Sequence, residues 1–129
     1  MSPLLAFLLQ AMASATAPAP AWQSLGTQDG IEVAIDPASL LRLEGGRVRV
    51  RIRGITRTAG ADGISTVTGT TEIDCAGNSA TALDAKGYDG QGRLMLNAIV
   101  PAAERHAEPI RPGSPNAAVR AAVCTLPAR

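Results

Sequence analysis

The stretch RVRVRIRGITR, residues 47–57, alternates arginine with aliphatic residues and limits the fold more than any other part of the chain. Successive side chains of a β-strand point to opposite faces, so Val48, Val50 and Ile52 share one face while the arginines share the other. This period of two predicts a strand with one buried side and one wet side.

A second alternating run, STVTGTTEIDCA, follows the loop TAGADGI. If the two runs form an antiparallel hairpin that turns near Ala61, Glu72 and Asp74 lie opposite or diagonal to the arginines at positions 47, 49 and 51. Cross-strand ion pairs of this kind stabilise a sheet by roughly 0.2 to 1 kcal/mol each. The acids are therefore predicted to neutralise the lower end of the ladder, leaving Arg53 and Arg57 opposite threonines.

Shorter signals complete the first half of the chain. AWQSLG and GIEVAID alternate around TQDG and predict a first hairpin. IDPASLLR predicts one helical turn in which Asp36 is the N-cap, Pro37 takes the first helical position and Ser39 bonds locally. A catalytic role for Asp36 and Ser39 is the alternative, and capping is the preferred interpretation.

The second half predicts one more hairpin, a loop and a helix. SATALDAKGYDGQGRLMLNAIV turns at DGQG, and its candidate core residues are Leu83, Tyr88, Leu94, Leu96 and Ile99. Residues 101–113, PAAERHAEPIRPG, form either a functional loop or a crossover between layers. The helix then begins with Ser114 as N-cap and Pro115 at the first position, and Val119 and Val123 form a narrow apolar stripe.

The length of the chain predicts a single domain, and its first residues predict that the protein is exported. Its 129 residues suffice for one domain, and one Trp, one Tyr and one Phe leave an aliphatic core. Residues 1–15 carry no charged side chain and end in an A-x-A pattern, which predicts a signal peptide; cleavage at Ala21 is a second option. Residues 16–21 are predicted to be a flexible Ala/Pro tether, and residues 22–129 one domain.

Cys75 and Cys124 are the two cysteines of the chain. In an oxidising compartment an even pair forms a disulfide by default. A metal pair or a reactive thiol is the alternative, although the chain has no C-x-x-C spacing and a single histidine, His106.

The order of Trp22, IDPASLLR, the alternating strand, TEIDCA, YDGQG, IRPGS and a final VC resembles the surface-adhesin protein E-like family of Gram-negative bacteria, from about Trp22 to Cys124. The resemblance implies an α+β fold. A meandering antiparallel β-sheet of about six strands carries one C-terminal helix on residues 115–124, and a Cys75–Cys124 disulfide tethers that helix.

The resemblance also implies a function. The founding adhesin is a surface lipoprotein that binds host extracellular-matrix and serum proteins. This chain lacks the lipid-modified cysteine, and Lys86 is its only lysine. We therefore expect an exported binding module, in the periplasm or at the cell surface, that contacts a protein or an acidic polymer. The ligand-binding candidates are Arg51, Arg53 and Arg57; the alternative is that these arginines only solvate the sheet and discourage edge pairing.

The residues give less support to an enzyme, a metal-binding protein or a nucleic-acid-binding protein. Catalysis needs titratable groups that converge in a cleft, and the chain offers His106 in a loop beside Glu104 and Glu108, so no catalytic residue, metal site or cofactor is predicted. A formal charge of +1 and the scarcity of aromatics argue against nucleic acid. The runner-up function is a soluble periplasmic inhibitor or envelope assembly factor that acts through residues 101–113. A homodimer is compatible with either function.

Overall fold

A computed structural model describes residues 19–125, which form one antiparallel sheet and one helix. Six long strands pair in chain order, and a two-residue strand pairs with the fifth. The strands are β1 (Gln23–Gln28), β2 (Ile31–Arg42), β3 (Arg47–Thr56), β4 (Thr66–Asp74), β5 (Ser79–Tyr88), β6 (Leu94–Ile99) and β7 (Glu108–Pro109), and the helix is α1 (Pro115–Val123). The predicted meandering sheet with one C-terminal helix is confirmed. The predicted signal peptide, residues 1–15, lies outside the described residues, as do residues 16–18 and 126–129.

The inner face of the sheet holds an aliphatic core, as the alternation in β3 predicts. Val48 and Val50 are fully buried there, and the inward residues of β2 and β4 surround them. The helix covers this face by contacting β1, β2 and β3, and its Val119 and Val123 are completely buried in the same cluster. The narrow apolar stripe of the helix is therefore its contact with the sheet.

The ends of α1 are fixed as the sequence predicts. The hydroxyl of Ser114 accepts a hydrogen bond from the amide of Ala117 at 3.3 Å, which is the N-cap contact. Cys124 at the other end is bonded to Cys75, so the predicted disulfide is confirmed. The Arg120 guanidinium donates to the carbonyl of Cys75 at 2.7 Å, which adds a polar tie beside the covalent one.

The helical turn predicted at IDPASLLR is wrong, because these residues belong to the long strand β2. The local bonds that suggested a cap do form: the Asp36 carboxylate accepts from the amide of Ala38, and the Ser39 hydroxyl donates to the carbonyl of Asp36. However, the Ser39 hydroxyl also accepts from the amide of Arg51 at 2.8 Å. This cross-strand bond keeps the segment in the sheet as a bulge, where the register shifts between Asp36 and Leu41.

The second predicted hairpin is present, but its outer strand is not part of the core. Leu83 of β5 is buried, as predicted, and Tyr88 is half-buried. All six residues of β6 are exposed, so the core positions predicted for Leu94, Leu96 and Ile99 are wrong. Leu96 faces inward, but β6 is the strand furthest along the sheet from the three strands that the helix covers. Leu94 and Ile99 instead face Tyr88 and Asp84 on the outer side.

Residues 101–113 run along the edge of β5 and then lead to the helix. The amide of Val100 donates to the carbonyl of Leu83, and β7 pairs with the first two residues of β5. Ile110 is buried and anchors the end of the segment. The segment is thus the crossover from the edge of the sheet to the layer that covers it, with most of its side chains exposed.

Candidate functional site

The arginine ladder lies on the outer face of the sheet, opposite the helix. β3 and β4 pair with a residue-number sum of 121, so Arg49 faces Glu72, Arg51 faces Thr70 and Arg53 faces Thr68. This is one of the registers predicted from the position of the turn. The outer face therefore carries two of the candidate ligand-binding arginines, Arg51 and Arg53, while the inner face carries the core.

Among the residues that the structure describes, Glu72 is the acid that pairs with both arginines at the lower end of the ladder. One of its carboxylate oxygens accepts from Arg47 at 3.1 Å, and the other accepts from Arg49 at 2.8 Å. Asp74 faces Arg47 in the register, but its carboxylate accepts from the amide of Gly77 at 2.9 Å and closes the β4–β5 turn. The prediction of ion pairs is confirmed for Glu72 and is wrong for Asp74, because a main-chain donor three residues away is its partner.

Arg51 has a neighbour of opposite charge that the sequence prediction missed. The bulged strand β2 brings Asp36 directly opposite Arg51. On its other side Arg51 faces Thr70, whose amide donates to the carboxylate of Asp84 at 3.0 Å. The surroundings of Arg51 therefore contain two acids, and its charge is compensated more than that of Arg53.

Arg53 has uncharged neighbours on both adjacent strands, Ala34 on β2 and Thr68 on β4. The centre of its guanidinium lies 5.1 Å from the centroid of the Trp22 ring. Such cation–π stacking contributes roughly 0.5 to 1 kcal/mol at an exposed site, and it fixes the plane of the guanidinium. No acid pairs with Arg53 within residues 19–125.

Arg57 lies beyond the end of β3 rather than on the ladder. It is exposed and lines a cleft of about 520 Å³ with Thr27, Gly30 and Thr58, next to the β1–β2 turn. Arg51 instead lines a cleft of about 450 Å³ further along the outer face. The three candidate arginines thus do not converge on one cleft.

Lys86 is a cation on the same outer face that sequence reasoning left out of the candidate site. It faces Thr68 on β4 and Asn97 on β6, and it lines the same cleft as Arg51. The register at the β4–β5 turn, in which Asp74 faces Ser79, would by itself have placed Lys86 opposite Val67 on the inner face. That register contains a bulge between Thr70 and Thr71, which the alternation of the sequence does not reveal.

His106 lies in an ordered part of the 101–113 segment. Its Nδ1 is 3.2 Å from the carbonyl oxygen of Glu104, and its Nε2 is 2.6 Å from a carboxylate oxygen of Glu108. The Glu104 carbonyl first, and then the Glu108 carboxylate, raise the pKa of His106 above its ordinary value of 6.5. Within the part of the chain that the structure describes, no three His, Cys, Asp or Glu side chains lie close enough together to hold a metal ion.

An apolar groove lies on the part of the inner face that the helix leaves open. It has a volume of about 360 Å³ and extends from the N-terminal end of α1 to the middle of β4 and β5. Ile52, Ile64, Val67 and Ala85 line it together with Pro115. Its chemistry differs from that of the polar outer face.

These features define a class of small proteins in which a meandering antiparallel sheet is covered on one side by a disulfide-tethered helix and presents a polar, arginine-rich face on the other. A sequence model described as surface-adhesin protein E matches residues 22–125. The chain therefore belongs to the surface-adhesin protein E family, and the resemblance stated from the sequence is confirmed. A search of curated proteins gave no sequence match.

Solved structures support the same fold. A crystal form II structure of Haemophilus influenzae protein E is similar with a TM-score of 0.52 and 18% identity, covering 85% of this chain and 96% of that chain. Another structure of Haemophilus influenzae protein E gives a TM-score of 0.51 and 16% identity, with coverages of 84% and 90%. Protein E from non-typeable Haemophilus influenzae gives a TM-score of 0.51 and 18% identity, with coverages of 84% and 78%.

Family membership supports an adhesin-like, exported protein and suggests a non-enzymatic role. Across residues 19–125, the structure contains no helix that is long and apolar enough to cross a membrane.

Proposed function

We propose that this chain is a non-enzymatic cell-envelope protein whose outer sheet face binds an acidic partner through Arg53. Residues 1–15 act as the signal peptide, residues 16–21 as a flexible tether and residues 22–129 as the binding domain. The observation that carries the proposal is the environment of Arg53: Trp22 orients its guanidinium, and both of its cross-strand neighbours are uncharged. A guanidinium that is held in place and pairs with no acid of the described chain can form its ion pair with an external ligand.

Arg51 and Arg57 assist to different extents. Arg51 is one rung below Arg53 on the same face, but Asp36 lies opposite it, so we expect a smaller contribution to binding. Arg57 is exposed at the end of the sheet, where it extends the positive surface toward the β1–β2 turn. The expected order of importance is Arg53, then Arg57, then Arg51.

The test compares Arg53→Ala with the matched variant Arg111→Ala in the mature, oxidised domain. Arg111 is exposed while Arg53 is half-buried, and the loss of either changes the net charge by the same amount. Binding to immobilised heparin, a sulfated polymer, should weaken with added salt and should fall roughly two- to fivefold with Arg53→Ala while Arg111→Ala has little effect. Equal retention of Arg53→Ala and the unchanged protein would reject Arg53 as the contact.

The location needs a separate experiment. Protease shaving of intact cells, with a periplasmic protein as the internal control, should remove the domain if it acts at the cell surface. Full protection of the domain would reject the surface role.

The alternative function, a soluble periplasmic inhibitor or assembly factor acting through residues 101–113, has one specific observation in its favour. That segment is exposed yet held in shape, since Arg105 donates to the carbonyl of Val100 at 3.0 Å and His106 contacts Glu108. An ordered, exposed loop binds a partner with a smaller loss of conformational entropy than a flexible one. Capture of an envelope protein that Arg105→Ala abolishes, together with protection from shaving, would favour this function.

A further inference from the structure

The strand registers align four polar residues in one row across the outer face. Arg53 on β3 faces Thr68 on β4, Thr68 faces Lys86 on β5, and Lys86 faces Asn97 on β6. We call these four residues the transverse row. Neighbouring strands lie about 4.8 Å apart, so the backbone positions of the two cationic residues are about 10 Å apart, with Thr68 between them.

The transverse row concentrates positive charge that the rest of the outer face cancels. Within residues 19–125, neither Arg53 nor Lys86 forms an ion pair. One adjacent row contains Asp36, Arg51 and Asp84, so acids offset its cation, and the row on the other side contains Glu32 opposite Ile55 and no cation. An anion approaching the outer face therefore meets two cations and no acid within the transverse row itself.

Aromatic rings lie at two places beside the row. Trp22 stacks on Arg53. Tyr88 is two residues after Lys86 on β5 and faces Thr66 on β4, which places it on the same face as Lys86. Half-buried aromatic rings with a polar end suit ligands that combine apolar ring faces with polar groups, as sugars do.

The direction of the row favours a sugar polymer over a peptide. An extended peptide adds to a sheet along an exposed edge, where it completes main-chain hydrogen bonds. The transverse row instead runs perpendicular to the strands, where the main chain of the sheet is already paired. Protein partners also need central apolar anchors, whereas all four members of the row are polar and the exposed Leu94 and Ile99 lie on the last strand, β6, rather than at the centre of the face. A linear polymer with repeated anionic groups requires neither an edge nor an anchor.

We propose that the transverse row is a binding site for a sulfated polysaccharide that lies across strands β3 to β6. Arg53 and Lys86 contact successive anionic groups, the hydroxyl of Thr68 and the amide of Asn97 bond to polar groups between and beyond them, and Trp22 and Tyr88 flank the chain. This inference rests on the proposed function, to which it adds the ligand class and the second cation.

A footprinting experiment tests the contact directly, because Lys86 is the only lysine of the chain. The mature domain is treated with an amine-reactive acylating reagent with and without heparin, and the extent of modification is measured by peptide mass spectrometry. The terminal amine of the mature protein serves as the internal reference. Heparin should slow the modification of Lys86 at least severalfold relative to the terminal amine, and chemically desulfated heparin should not.

Binding variants separate this inference from the proposed function. Lys86→Gln should weaken heparin binding roughly two- to fivefold, and Lys86→Arg should retain it. Each lost cation should also make the slope of log K against log salt less negative by about 1, because fewer condensed counterions are released. Arg111→Ala again provides the charge-matched control.

The outcomes distinguish the two proposals. If Arg53→Ala weakens binding while Lys86→Gln does not and Lys86 remains unprotected, the transverse row is overturned and the proposed function stands. If neither variant weakens binding, both are overturned. Tighter binding of a poly-glutamate peptide than of heparin would overturn the assignment to a sulfated polysaccharide.

Discussion

Removing the disulfide should cost the domain about 4 kcal/mol of unfolding free energy. Cys75 and Cys124 are separated by 49 residues, and closing a loop of about 50 residues lowers the entropy of the unfolded chain by about 14 cal/mol/K, which is about 4 kcal/mol at 25 °C. A single domain of this size has a total stability of roughly 5 to 15 kcal/mol. The double variant Cys75→Ala, Cys124→Ala should therefore fold, but with a large part of its stability lost.

The folded contacts around the disulfide explain why the helix should remain in place in that variant. Val119 and Val123 stay buried on the inner face, and Arg120 retains its hydrogen bond to the carbonyl of residue 75. Val123→Ala is the matched control, because it weakens the same helix–sheet contact without opening the loop. Losing two buried methyl groups costs about 1.6 kcal/mol by transfer and somewhat more with the cavity.

Urea denaturation, followed by the fluorescence of the single tryptophan, Trp22, measures both free energies. The double cysteine variant should lose about 4 kcal/mol, Val123→Ala about half as much, and the reduced unchanged protein should match the double variant. A loss below about 1 kcal/mol in the double variant would refute the loop-entropy reasoning. Two free thiols in the oxidised, unchanged protein would refute the disulfide itself.

Two further predictions follow from the ion pairs. Glu72→Gln should lower the unfolding free energy by roughly 0.5 to 1 kcal/mol in urea denaturation and increase retention on heparin, because it releases Arg47 and Arg49. Asp74→Asn makes the same change of charge and should leave retention on heparin nearly unchanged. Equal effects of the two variants would contradict the pairing of Glu72 with the arginines. An NMR titration of His106 should give a pKa above 6.5, because its contacts favour the imidazolium. The protonated His106 adds stability below pH 6.5, and this stability is lost as the pH rises through the folded-state pKa. Glu108→Gln should lower that pKa.

The sheet could be predicted from the sequence because its signal is local and repeated. In β3 every second residue is apolar, so Val48 and Val50 were assigned to the core and Arg53 to the outer face from periodicity alone. The position of the following turn then limited the β3–β4 register enough to place Glu72 beside Arg49. These inferences need only the pleat of a strand and the length of a hairpin.

Other features depended on contacts that no local pattern encodes. Asp36, Pro37 and Ser39 satisfy the rules for a helix start, but the hydroxyl of Ser39 bonds to the amide of Arg51 on the next strand, and the sheet overrides the local preference. The juxtaposition of Arg53 and Lys86 requires two consecutive registers, the second of which contains a bulge. The candidate site is thus less predictable than the strands that carry it.

The size of the single helix explains why apolar surface remains exposed on one side of this sheet. α1 has 9 residues, so it is about 13.5 Å long and about 10 Å wide. Six strands at a spacing of about 4.8 Å span about 24 Å, and the helix therefore covers two or three of them in any orientation. It lies on β1, β2 and β3, and because Ala80 at the start of β5 is still buried in the core, the inner surface that is left wholly without a cover is that of β6.

The strand β6 lies on this uncovered side of the sheet and is open to solvent. Leu96, which faces Gly87 on the inner side of the sheet, is 43% exposed, and β6 carries no charged residue or proline, the usual protections of an edge strand against pairing with another chain. A lysine at Leu96 would be tolerated by the core, because β6 contributes nothing to it. Such a substitution should leave the unfolding free energy within about 0.5 kcal/mol of the unchanged protein. A large loss of stability would show that β6 is covered in the folded protein, and the separation between a covered and an open half of the sheet would then be wrong.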